Sequence, residues 1–139
     1  MKCSTYFQLY FSIILVPAPS VTVNSDPVSP IQPVGFAINL TCTVELSTAV
    51  NVPVTVSTLW TGPDGFMTTN TAQPVMGSTT TYTSTAMVSS FGRNQSGVYS
   101  CMATVSSTSS FLTDSGPQSE TARVTVGKVD NLCAHACTQ

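Results

Sequence analysis

The one cluster in this chain with the residue types of a metal or thiol site is Cys133-Ala134-His135-Ala136-Cys137. Thiolates and imidazole suit zinc, but a structural zinc site takes four protein ligands and this tail supplies three. A local disulfide, or pairing with another chain, is the expectation there, and no metal site is assigned. Nucleophilic catalysis needs a base within reach of a Ser or Cys. His135 is the only histidine, it follows the last strand-like segment, and no Ser stands in an elbow motif. Gly-rich phosphate loops, paired catalytic carboxylates and HExxH are absent as well. The expectation is a protein that is not an enzyme, with no catalytic residue and no cofactor.

Composition narrows the classes further. The chain has 139 residues, enough for one domain with a full core and too few for two. Hydrophobic residues make up 42% and charged residues only 7%, against an average near 25% for the latter. Ser and Thr fill the gap. Four Lys or Arg and a net charge of -2 leave no basic patch to neutralise phosphates, so nucleic acid is not an expected partner.

The remaining reactive groups point to a compartment. Lys2 precedes the mostly apolar residues 6–16, the proportion of a secretory signal peptide. That stretch falls short of the roughly 20 residues of a membrane-spanning helix, and no other segment reaches them, so no transmembrane anchor is expected. Small residues at Ala18 and Ser20 suit a signal peptidase, with cleavage after Ser20 favoured because Pro19 would follow a cut after Ala18. The other reading of this segment is a buried strand or an uncleaved leader. Removal of residues 1–20 takes Cys3 and leaves Cys42, Cys101, Cys133 and Cys137, an even set suited to an oxidising compartment. Asn39-Leu40-Thr41 and Asn94-Gln95-Ser96 are N-glycosylation sequons, which agree with export to the cell exterior.

The elements that carry these residues read as strands. Nine prolines are spread along the chain, and no stretch sustains apolar residues at helical spacing. Val21 and Val23 open an edge strand, broken by Pro27, Pro30 and Pro33 because proline cannot donate to a ladder. Residues 36–44 alternate strictly, with Phe36, Ile38, Leu40, Cys42 and Val44 on one face and Asn39 on the other. Residues 54–60 repeat the pattern with Val54, Val56, Thr58 and Trp60, before the turn Gly62-Pro63-Asp64-Gly65. Residues 82–88 form a Thr-rich strand. Residues 97–105 form another, with Tyr99, Cys101, Ala103 and Val105 aligned, and residues 120–126 close the series by burying Ala122, Val124 and Val126. About seven short strands with turn signals between them describe an antiparallel sandwich or barrel.

At this point the residues resemble the immunoglobulin superfamily. Cys42 falls on the inward face of one strand, Trp60 of the next and Cys101 of a late strand, and Tyr99 stands two residues before Cys101, where that family places its tyrosine corner. The resemblance covers residues 21–126 and implies an immunoglobulin-like antiparallel β-sandwich of about seven strands. It implies a Cys42–Cys101 disulfide joining two sheets, with Trp60 packed beside it and Tyr99 bonded to backbone upstream. Closing such a loop contributes roughly 4 kcal/mol in the chain-entropy model. Three departures stand out: Gln95 where the family usually has Asp, a long interval from Cys42 to Trp60, and no paired-glycine bulge in the last strand. The last of them argues against an antigen-receptor variable domain.

The organisation expected is a signal peptide at 1–20, an Ig-like domain at 21–127 and a C-terminal tail at 128–139. The function the resemblance implies is extracellular recognition or adhesion through a protein or glycan ligand. The loops at 47–53 and 106–119 are the first places to look, because both are long and polar. The rival expectation is a structural spacer that packs against neighbouring Ig-like domains in a tandem array.

Overall fold

A computed structural model of the chain describes residues 16–26, 31–32, 34–47, 53–107 and 117–128. They form nine strands: β1 (Pro19–Asp26), β2 (Ile31–Gln32), β3 (Ile38–Leu46), β4 (Val54–Thr61), β5 (Met67–Thr71), β6 (Gln73–Pro74), β7 (Thr81–Val88), β8 (Gly97–Ser107) and β9 (Gln118–Lys128). The strands make a two-sheet sandwich. One sheet has the order β1-β3-β7-β6 and the other β2-β9-β8-β4-β5. Every pairing is antiparallel except the short β2–β9 contact. The chain leaves the first sheet after Asp26 and enters the second at Ile31, so the proline-rich stretch separates two strands of different sheets.

Period-2 alternation builds the core. Ile38, Leu40, Cys42, Val44 and Leu46 of β3 face Val56 and Trp60 of β4 and Tyr99, Cys101, Ala103 and Val105 of β8, all buried. Phe36 is a correction. It is 66% exposed, because β3 starts only at Ile38 and the preceding residues turn at Gly35. Backbone bonds from Gly35 N–H to the Phe91 carbonyl and from Phe91 N–H to the Phe36 carbonyl pin this turn. Phe91 is wholly buried in the core in its place. In β9 only Val126 is fully buried; Ala122 and Val124 are half-buried.

The count of about seven strands rises to nine because β2, β5 and β6 are short and lack apolar alternation. The β4–β5 hairpin has a physical basis in its turn. Asp64 (φ 57°, ψ 32°) and Gly65 (φ 71°) both take left-handed backbone, the arrangement for which Asp-Gly is favoured in hairpins. Phe66 N–H donates to the Pro63 carbonyl, and Gly62 N–H to the Phe66 carbonyl. Among the described residues the only helical turns are two three-residue 3-10 segments, Pro63–Gly65 and Arg93–Gln95.

Candidate functional site

The residues singled out in the sequence meet in one layer of the core. Cys42 of β3 and Cys101 of β8 are joined by a disulfide across the sheets, with Cα atoms 6.3 Å apart. Trp60 lies directly opposite Cys101 in the β4–β8 register, and Ser84 opposite Cys42 in the β3–β7 register. The same layer therefore carries a second cross-sheet link, from the Trp60 indole N–H to the Ser84 hydroxyl at 3.3 Å.

Hydrogen-bond direction in this layer follows from chemistry. The Thr58 hydroxyl reaches the Asn70 carbonyl at 3.3 Å, which can only accept, so Thr58 donates there. The Ser84 hydroxyl, 2.6 Å from Thr58 Oγ1, must then be the donor of that pair, while it accepts from Trp60. The chain runs Trp60 to Ser84 to Thr58 to Asn70, and it leaves no buried side-chain polar atom unpaired among the described residues. Ser84 escaped the sequence reading. Thr58 was placed inward by alternation, and an inward hydroxyl was the signal that a buried partner must exist.

Tyr99 closes one end of the core. Its hydroxyl donates to the Gln95 carbonyl at 2.7 Å, and the Gln95 side chain accepts from Gly92 N–H. The Phe66 ring meets Tyr99 edge-on at 5.5 Å. Burial raises the Tyr99 pKa above its ordinary value, and the Asp64 carboxylate adds to the rise. This constellation is structural, with no nucleophile–base pair in it. Among the described residues no group of three His, Cys, Asp or Glu gathers to hold a metal ion.

The surfaces differ between the sheets. On the outside of the five-stranded sheet, Leu59 pairs with Met102 and Thr61 with Met67. Met67, Met102 and nearby Val98 are 70%, 38% and 48% exposed, and Leu59 is half-buried. The outside of the four-stranded sheet is mainly hydroxyl and amide, with Thr22, Asn24, Thr41, Thr43, Thr83 and Thr85, joined by the carboxylates of Asp26 and Glu45 and by the exposed Met87. Asn39 is exposed there, and Asn94 is exposed in the Arg93–Gln95 turn. Cys133, His135, Cys137 and most of the two long loops lie outside the described residues. No helix among the described residues is long and apolar enough to cross a membrane.

A scan against protein-family models gives no match for this chain, and a search of curated proteins gives none either.

Proposed function

We propose that the chain is an extracellular immunoglobulin-like recognition module that binds a protein partner through the outer face of its five-stranded sheet. The domain reading rests on the Cys42–Cys101 bridge between sheets, Trp60 opposite Cys101, and Tyr99 bonded to the Gln95 carbonyl. The binding reading rests on one observation: Leu59, Met67, Val98 and Met102 gather on a single strand-built face. Exposed apolar side chains scattered singly are ordinary, whereas several on one face of a rigid sheet are what a partner can cover. The exposed sequon at Asn39 lies on the outside of the other sheet, so a glycan there would leave that face free.

The spacer reading draws on the hydroxyl-rich face of the other sheet, which suits a glycosylated stalk. One experiment separates the two. The domain, exported from eukaryotic cells, is tested for binding to cell surfaces beside a Leu59→Lys/Met102→Lys variant. Recognition expects binding that the variant loses while its melting transition is kept. A spacer expects no difference between them.

A further inference from the structure

The four-stranded sheet stops short on one side. β6 pairs only with Tyr82 and Thr83 of β7, although β7 continues to Val88. Beyond Thr83, no described strand pairs with β7 on the side away from β3. The direction of its backbone groups is fixed by alternation. The Thr80 carbonyl accepts from Leu46 on the β3 side, whereas the Thr81 carbonyl accepts from Val75 on the other. Thr83, Thr85 and Met87 therefore aim their N–H and C=O groups at the open side. The Thr85 carbonyl is met by the Asn70 side-chain amide at 2.8 Å, standing where a strand's donor would be. The Thr85 N–H and both Met87 groups meet no described strand.

The space beside this edge is a groove of about 550 Å³, lined by Asn70, Thr71, Gln73, Thr83, Ser84 and Thr85. Strand β5 forms its far wall. All six lining side chains are neutral, and no Asp, Glu, Lys, Arg or His occurs between Asp64 and Arg93. Natural sheet edges are usually protected by charges, prolines or bulges, and on β7 none of these follows Thr83.

We propose that the β7 edge running out from this groove receives an extended, uncharged segment of another polypeptide as an added antiparallel strand along residues 85–88, in line with β6. Main-chain bonds to the Thr85 N–H and to both Met87 groups supply the affinity, as in other strand-addition complexes. The neutral lining offers a charged side chain no ion-pair partner, which suits an uncharged segment. A second whole copy of the domain fits poorly. Its own second sheet would be brought to the place where β5 stands.

The test uses hydrogen exchange on the whole exported domain, with a capped synthetic peptide copying residues 81–88 as an uncharged strand-forming probe. In the free domain the Met87 amide should exchange fast, while Ala86 and Val88, paired with β3, are protected. Peptide at ten times its Kd should slow Met87 about tenfold. The same peptide N-methylated at alternate residues, which removes its ladder donors, should do nothing. Met87→Pro should abolish the effect, and Thr85→Lys, which keeps every backbone donor, should weaken it if the proline variant fails to fold. Three results overturn the proposal: a Met87 amide already as protected as Ala86, no protection at millimolar peptide, or equal protection by the N-methylated peptide. Protection that rises with protein concentration alone makes a second copy the occupant and overturns it too. The Leu59→Lys/Met102→Lys variant keeps this response, so the two sites fail or stand separately.

Discussion

Gly62 lies so close to the face of Tyr99 that a β-carbon at position 62 would stand 2.5 Å from Tyr99 Cδ1. The approach is steric, since Gly62 has ordinary extended backbone that any residue adopts (φ -165°). Tyr99 cannot retreat, because Gln95 holds its hydroxyl and Phe66 its ring edge. Gly62→Ala should therefore destabilise the domain by roughly 1–3 kcal/mol, the cost of overpacking a filled site. Urea melts of the two proteins check this, with an unchanged slope showing that only stability has moved.

Tyr99→Phe separates the hydroxyl from the ring. The ring contacts stay and one buried hydrogen bond to the Gln95 carbonyl goes, so the expected loss at neutral pH is on the order of 1 kcal/mol. The pH dependence has a definite sign. The folded-state pKa of Tyr99 is raised by burial and by Asp64. Its contribution is present in full below the unfolded value near 10 and is lost as pH rises through the folded one. Melts between neutral pH and strongly alkaline pH should show a steeper alkaline loss for the parent than for Tyr99→Phe. Equal slopes would mean that Tyr99 ionises freely.

Much of this core was legible because its strands alternate without interruption. Cys42, Trp60, Tyr99 and Cys101 each sit among neighbours that fix their inward parity, and all four are wholly buried. Phe36 was misplaced by extending that parity back past Ile38, where β3 begins, into residues that turn at the left-handed Gly35. Alternation says which face a residue takes only while the strand lasts. Strands β5 and β6 were invisible for another reason. Met67-Thr-Thr-Asn-Thr71 and Gln73-Pro74 lie at sheet edges, where pairing with a neighbour rather than burial makes the strand. The face formed by Leu59, Met67, Val98 and Met102 joins residues from three strands, so only the register brings them together.

The disulfide gives a direct chemical check. Peptide mapping without reduction should recover one linked pair containing Cys42 and Cys101. Replacing both with Ala should cost roughly 2–5 kcal/mol, the range for removing a native bridge from a small domain. Free thiols at either position in folded protein would contradict the arrangement.

The cross-sheet contact between Trp60 and Ser84 allows a sharper measurement. Trp60→Ala should cost roughly 3–5 kcal/mol, because it empties the largest side chain of the core. Ser84→Ala removes few atoms but strands the buried indole N–H of Trp60, which costs roughly 1–3 kcal/mol. Thr58 keeps its bond to the Asn70 carbonyl in that variant but loses the one it accepts from Ser84, so the single-variant loss is shared between Trp60 and Thr58. Trp60→Phe removes the indole N–H while keeping an aromatic ring. In the Trp60→Phe background, Ser84→Ala should therefore cost distinctly less than in the parent. A double-mutant cycle from denaturant melts reads this difference as the coupling between the two residues. Strict additivity would mean that the 3.3 Å contact carries no hydrogen-bond energy, leaving the disulfide and the Ser84–Thr58 hydrogen bond as the links between the two sheets here.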